Sequence, residues 1–374
     1  MIYFDNSATT QTRKEVAQLI ADYSVNEYFN PSSSYAPALK VKNDIDNVRQ
    51  VILSLLNADK FDKIIFTGSA TEANNLVLNG FVKKNKKILI TNGEHPSIFE
   101  TAKNLKNLGY NVEFIELKTD GRIDEDDLLK KLSFDVCLVS LIHVSNETGA
   151  INDINKICKL VKNKVPTAIV HCDGVQAFGK VKINLTQSNI DAYTISSHKI
   201  HGPKGVACLY LKNGLNIKPH ILGGGQEGGL RSGTENTSGI IGFGKACQLM
   251  YENFEEKRQH IKALKAYLLS QLEQSDLEYN LNSTNTCLEN IVSLYFANVR
   301  GEVLLHSLEK YGIYVSTGSA CSSKIVGNRV LTSMHQDKQT MLGNIRVSFS
   351  EFNTKEEVDT FLQALKEVIP LIKH

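Results

Sequence analysis

Short, unbroken apolar runs recur along the first two-thirds of the chain, at 64–66, 88–90, 112–117, 136–144, 168–171, 192–195 and 206–211. A run without polar alternation indicates a strand covered on both faces, whereas a sheet with one wet face repeats with a period of two. Between these runs, segments such as 71–82 and 97–108 place apolar residues at helical spacing. Strands alternating with helices predict successive βαβ units, and therefore a mostly parallel sheet with helices on its faces. The texture changes after the glycine-rich stretch 223–233: residues 252–272 predict a long charged helix, 291–296 a strand and 356–372 a closing helix. A second, smaller α/β unit is expected from about residue 255.

A length of 374 residues suits two domains better than one. Forty-two Lys and Arg against 40 Asp and Glu leave a formal charge of +2, without the excess that a nucleic-acid or membrane surface would need. The basic run Lys83-Lys84-Asn85-Lys86-Lys87 lies between apolar segments and is read as a solvated loop. The sequence opens without a basic leader and apolar core of a signal peptide, and it lacks a membrane-length apolar stretch; a cytoplasmic location is expected. Seven scattered cysteines without a C-x-x-C pair argue against a disulfide framework or a zinc site. Cys137, Cys172 and Cys208 sit in apolar runs, where thiols act as small hydrophobes. Cys321 instead stands in Thr317-Gly318-Ser319-Ala320-Cys321-Ser322-Ser323, small and mostly polar residues that favour a loop.

Four expected strands run out into groups capable of chemistry. The first leads to Glu94-His95-Pro96, the second to Ser145-Asn146-Glu147, the third to Asp173 and Gln176, and the fourth to Ser196-Ser197-His198-Lys199. Alone, Asp173 reads as a helix cap, His95 as a loop histidine and Lys199 as a surface lysine. In open α/β sheets, however, ligands bind at the carboxyl ends of strands, where all of these groups fall. Pyridoxal phosphate chemistry needs such a set: a lysine to hold the aldehyde, a carboxylate to keep the pyridine nitrogen protonated, a ring to stack and donors for the phosphate.

Several blocks resemble the NifS/IscS-like cysteine desulfurases of the class V aminotransferase family. They are Phe4-Asp5-Asn6-Ser7-Ala8-Thr9-Thr10, Asn30-Pro31-Ser32-Ser33, Phe66-Thr67-Gly68-Ser69-Ala70-Thr71-Glu72-Ala73-Asn74-Asn75, Glu94-His95-Pro96 and His171-Cys172-Asp173-Gly174-Val175-Gln176. Further along come Ser196-Ser197-His198-Lys199-Ile200-His201-Gly202-Pro203-Lys204-Gly205, Arg231-Ser232-Gly233-Thr234-Glu235-Asn236 and Gly318-Ser319-Ala320-Cys321-Ser322-Ser323. The resemblance implies the fold type I architecture of pyridoxal-phosphate enzymes. A large domain over 15–254 would carry a mostly parallel seven-stranded sheet, and a small domain over 1–14 and 255–374 would carry the cysteine loop. It also implies pyridoxal 5'-phosphate on Lys199, His95 stacked on its ring, Asp173 at the pyridine nitrogen and Gln176 at the ring hydroxyl. Ala70, Thr71, Ser196 and His198 would hold the phosphate, with Thr234 reaching the phosphate of the other subunit of a homodimer. Asn146 and Arg346 would grip the carboxylate of L-cysteine.

By the same resemblance, Lys199 removes the Cα proton, Cys321 attacks the substrate sulfur as a thiolate, and alanine leaves while Cys321 keeps a persulfide for a sulfur-acceptor protein. That acceptor would serve iron–sulfur cluster assembly or the thiolation of tRNA or a cofactor. The sequence departs from the family in three places. Lys324-Ile325-Val326-Gly327-Asn328-Arg329-Val330-Leu331 lacks the usual Glu-Pro-Ser before Val-Leu; Gly68-Ser69 replaces the common Ser-Gly; and 34–39 lacks the usual His and Gly. The competing readings are a selenocysteine or cysteine-sulfinate lyase of the same fold, an aminotransferase and a non-catalytic cofactor-binding scaffold. A dinucleotide-binding fold is disfavoured because no G-x-G-x-x-G follows the first strand.

Overall fold

The structure is a computed structural model and describes residues 1–284, 286–318 and 328–373. Its first strand, β1 (Ile2–Tyr3), pairs in parallel with β11 (Ile313–Tyr314). The central sheet holds β2 (Lys63–Thr67), β3 (Lys87–Thr91), β4 (Asn111–Ile115), β5 (Val136–Ile142), β6 (Ile169–Asp173), β7 (Ala192–Ser196) and β8 (Ala207–Leu211). Their order is β2-β8-β7-β6-β5-β3-β4, with β8 antiparallel to both its neighbours and the remaining pairs parallel. A third sheet joins β9 (Tyr279–Leu281), β10 (Ile291–Phe296) and β12 (Asn344–Ser348), all antiparallel.

The sequence pattern explains the sheet. Every residue of β5, β7 and β8 is buried, so these strands need no polar alternation. Side chains of β3 and β5 divide between two cores: Leu89, Val139 and Leu141 face one side, and Ile88, Ile90 and Leu138 the other. The reversal at β8 follows from the short span between Ser196 and Ala207, since a parallel return needs a crossover of a dozen or more residues. The helix Ala36–Leu55 begins at the atypical 34–39 stretch, where Tyr35 offers no side-chain cap and proline occupies the first turn instead.

A third core gathers Leu264, Leu268 and Leu272 of the Phe254–Glu273 helix, Phe361 and Leu365 of the Lys355–Ile372 helix, and Val292, Leu294, Ile345 and Val347 of β10 and β12. Phe4 seals it from the start of the chain, edge-on to Phe349 at 5.2 Å and to Phe361 at 5.7 Å. From there the chain passes to the central sheet: Thr10 N–H donates to the His198 carbonyl at 3.0 Å, and Thr10 Oγ1 accepts from His201 N–H at 2.7 Å. Residues 5–10 therefore link the third core to the central sheet.

Phe4→Ala should cost about 3–5 kcal/mol, as for other fully buried phenylalanines, and the urea unfolding midpoint measures that loss. A loss below about 1 kcal/mol would mean that Phe4 does not close the third core.

Candidate active site

Parallel pairing puts strand ends side by side, and the order β7-β6-β5-β3 makes neighbours of the four chemistry-bearing ends read from the sequence. Asp173 is the last residue of β6, Ser196 the last of β7, and Ser197–Lys199 forms a single 3₁₀ turn directly after it. β2 also runs parallel to β7, because both are antiparallel to the β8 between them. Its end therefore delivers the Ala70–Phe81 helix to the same edge.

The centre of the site is a hydrogen-bonded line. Asn74, fully buried in the first turns of that helix, donates through Nδ2 to Asp173 Oδ2 and to Ser97 Oγ, each at 2.9 Å. Asp173 Oδ1 accepts from Val175 N–H at 3.0 Å. Ser97 Oγ lies 2.9 Å from His95 Nδ1, which also accepts from Ser97 N–H at 3.2 Å as the cap of the Pro96–Asn107 helix. Because Nδ1 accepts a backbone N–H, the neutral imidazole carries its proton on Nε2. The surrounding protein holds the His95 imidazole below its usual range by desolvation, with Lys199 and Arg329 assisting and Asp173 and Glu147 opposing. His95 as a residue is nevertheless exposed.

Lys199 Nζ donates to the carbonyls of Ser7 at 2.5 Å and Ala8 at 2.7 Å. Burial pushes its amine down to about 8, helped by Arg346 and opposed by Asp5, Asp173 and Glu147. His198, fixed through Nδ1 against Thr9 Oγ1 at 3.1 Å, is pushed down to about 4 by burial and by the surrounding lysines. Gln176 donates through Nε2 to the Ser7 carbonyl at 2.9 Å, and its Oε1 accepts from Lys180 Nζ at 2.9 Å. An ammonium only donates, so Lys180 fixes the orientation of the Gln176 amide. Burial also lowers the Lys180 amine, to about 7.

Arg346, on β12, donates to the Asn146 carbonyl and to Asp5 Oδ1, each at 2.8 Å, while its buried Nε has no partner among the described residues. Asn146 Nδ2 donates to Glu147 Oε1 at 2.9 Å. Cys321 lies outside the described residues, but the residues that flank its segment, Gly318 and Asn328, meet at Glu147. Asn328 Nδ2 donates to Glu147 Oε2 at 3.2 Å, and a Cβ on Gly318, whose φ is +83°, would fall 2.1 Å from the same oxygen.

At the far side, Ala70 and Thr71 open the Ala70–Phe81 helix, and Ser69 caps it by accepting from Glu72 N–H at 3.1 Å. Glu72 turns back to accept from Gly68 N–H at 2.8 Å and pairs with Arg231 at 2.7 Å, which ties this turn to the 223–233 loop. Helix amides with their positive dipole end suit a phosphate. Thr234 is exposed. The donor set fits pyridoxal phosphate. It offers a lysine that gives up its proton readily, a buried carboxylate with lone pairs left after two accepted bonds, a ring beside it and a helix start. Among the described residues, no cluster of His, Cys, Asp or Glu could hold a metal ion.

Sequence reasoning missed Asn74, Ser97 and Lys180 as parts of the site, and also the Ser7 and Ala8 carbonyls. Asn74 and Ser7 stood in blocks already singled out, but their contacts join positions far apart in sequence, which spacing alone does not show.

The aminotransferase class-V model matches residues 2–361. "Cysteine desulfurase IscS" of Clostridium botulinum is 37% identical over 376 residues, covering 98% of this chain and 94% of its own. A "Cysteine desulfurase" of Nostoc is 35% identical over 381 residues, with coverage of 100% and 94%. The solved structure of a "NIFS-LIKE PROTEIN" superposes with a TM-score of 0.92 at 34% identity, over 99% of each chain. With the match running nearly end to end and the same fold beneath it, this chain belongs to the aminotransferase class-V family.

Proposed function

We propose that this protein is a cysteine desulfurase that uses pyridoxal 5'-phosphate to move sulfur from L-cysteine to Cys321 and releases L-alanine. The observation that carries this is the joint placement of Lys199, Asp173 and His95 at one sheet edge, with Arg346 beside them, in a chain that matches relatives of that name over its whole length. Pyridoxal phosphate, when bound, supplies an electron sink that acidifies the substrate Cα–H. Asp173, fixed by Asn74 and Val175, would receive the pyridine N–H. His95 would stack on the ring, and Gln176 would offer the amide N–H not taken by the Ser7 carbonyl. The amides of Ala70 and Thr71, with Ser196 and His198, would take the phosphate. Thr234 serves the partner subunit's site in a homodimer.

Arg346 Nε and the Asn146 side chain hold the substrate carboxylate, with Asp5 keeping the guanidinium in place. The neutral amine of Lys199 takes the Cα proton. A Cys321 thiolate attacks the substrate sulfur, the Cβ–S bond breaks, Cβ gains a proton, Lys199 returns the proton to Cα to give L-alanine, and Cys321 is left as a persulfide. In its neutral form His95 offers a proton at Nε2. To accept one there it must first pass a proton to Nδ1, and the Ser97 hydroxyl lies at that nitrogen. Residues 15–254 act as the cofactor domain, and 1–14 with 255–374 as the small domain. The sulfur passes on to an acceptor protein in the cytoplasm. Among the described residues, no helix is long and apolar enough to cross a membrane.

Two measurements check this. With L-cysteine and a reducing thiol, the protein should release alanine and sulfide in equal amounts, and Cys321→Ser should lower alanine release by at least ~10²-fold, as expected for loss of a nucleophile. Equal release by both proteins would point to a lyase that needs no thiol. Secondly, capture of pyridoxal phosphate by the apoprotein, trapped by borohydride and located by peptide mass spectrometry, should speed up with pH through about 8 and then level off. The neutral amine is the reactive form, and its fraction saturates above the lowered value. A rate at residue 199 that keeps climbing to ~10.4, as for an ordinary lysine, would remove the case for a tuned Lys199.

A further inference from the structure

The segment that carries Cys321 lacks the family's usual Glu-Pro-Ser before Val330-Leu331, and Asn328-Arg329 stands directly before that pair. The arginine at that place does not face open solvent. Its Nη1 donates to the Asn92 carbonyl and its Nη2 to the Glu94 carbonyl, the two that lie either side of Gly93. The guanidinium also lies over Phe99, with Cζ 3.9 Å from the ring centroid. Phe99 belongs to the first turn of the Pro96–Asn107 helix, and its N–H donates to the His95 carbonyl at 3.1 Å. One side chain thus grips the turn leading into His95 and the helix turn leading out of it.

We infer that Arg329 is a positioning residue for His95: by bridging the carbonyls of Asn92 and Glu94 over Phe99, it fixes the imidazole relative to the end of the Cys321 segment. The planar fork suits this task, because two N–H groups diverge at a set angle toward two carbonyls, which a single ammonium cannot reproduce. The Glu94 side chain and Arg329 also act on each other electrostatically. Glu94 is fully buried, accepts from Thr91 Oγ1 at 2.5 Å, and is pushed well above the usual carboxylate range by burial and by Asp173. The importance of His95 rests on the function proposed above; the contact itself does not.

The charges that face His95 are Asp173 from the end of β6, Glu147 beyond β5, His198 and Lys199 after β7, and Arg329. Arg329 and Lys199 disfavour its protonation, while Asp173 and Glu147 favour it. Loss of the Arg329 charge therefore raises the His95 titration midpoint, whereas loss of the fork alone leaves it.

Arg329→Met and Arg329→Lys separate the two effects. Histidines labelled at Cε1 in the holoenzyme report the midpoint by NMR, with the His95 signal identified by its disappearance in His95→Asn. Steady-state alanine release gives kcat and KM. In Arg329→Met the midpoint should rise and kcat should fall about tenfold. In Arg329→Lys the midpoint should stay near wild type while kcat falls by a similar factor. Full activity in Arg329→Lys would overturn the positioning role and leave only charge. An unchanged midpoint and a kcat within twofold in both variants would overturn the contact altogether. If Arg329→Met does not fold, the Lys variant decides on kcat alone. A wild type that releases no alanine counts against the proposed function, while the NMR midpoints still decide whether Arg329 acts on His95.

Discussion

A carboxylate at the end of a strand buried on both faces is costly unless donors meet it, and Asp173 is met from two directions. Val175 N–H comes from its own chain just downstream, and Asn74 Nδ2 from a helix roughly a hundred residues earlier. The Asn74 contact carries more than its own energy. The same nitrogen donates to Ser97 Oγ, so the amide holds β6, the Ala70–Phe81 helix and the Pro96–Asn107 helix in one register. Asn74 is fully buried and its Oδ1 has no partner among the described residues, which shows how far the local structure is arranged around its two donors. Truncating a side chain in such a line leaves other buried polar atoms unmet, a larger cost than the loss of one exposed hydrogen bond.

Most of the sheet was legible because its signal is local. Each run from 64 to 211 falls on an observed strand, with ends that differ by a few residues: the 136–144 run stops as a strand at Ile142, and the 168–171 run continues to Asp173. The direction of β8 is a matter of connection length and could be inferred only after the strands were placed. The site was legible as a set of strand ends. Its internal wiring was not, because the Asn74–Asp173, Gln176–Ser7 and Lys199–Ala8 contacts span 99, 169 and 191 positions. No periodicity reports on contacts of that kind. The resemblance supplied the roles of the residues but could not show that Lys180 sets the Gln176 amide or that Arg329 reaches the His95 turn. The expectation for Cys321 itself lies outside the described residues.

Electrostatically the site is biased toward anions. Burial lowers the Lys199 and Lys180 amines to about 8 and about 7, with Arg346 adding to both and Lys199 adding to the second. His198 and His95 are lowered as well, so the imidazoles stay neutral near pH 7 and the positive charge resides on the longer side chains. Asp5 and Glu147 offset part of this field at Arg346, the first at 2.8 Å and the second at 4.0 Å. In the function proposed here, a phosphate dianion at the start of the Ala70–Phe81 helix and a substrate carboxylate at Arg346 would complete the balance.

Glu147 has a position that neither charge balance nor burial alone would require. Its Oε1 accepts from Asn146, its Oε2 accepts from Asn328, and Gly318 packs where no Cβ would fit. The two residues that bound the Cys321 segment are thus referred to one carboxylate, and that carboxylate follows directly on the residue proposed to hold the substrate. Arg329, one residue beyond Asn328, refers the same stem to the turn of His95. In the function proposed here, a substrate carboxylate at Asn146 and Arg346 would lie next to the carboxylate that also meets the two described residues on either side of the Cys321 segment.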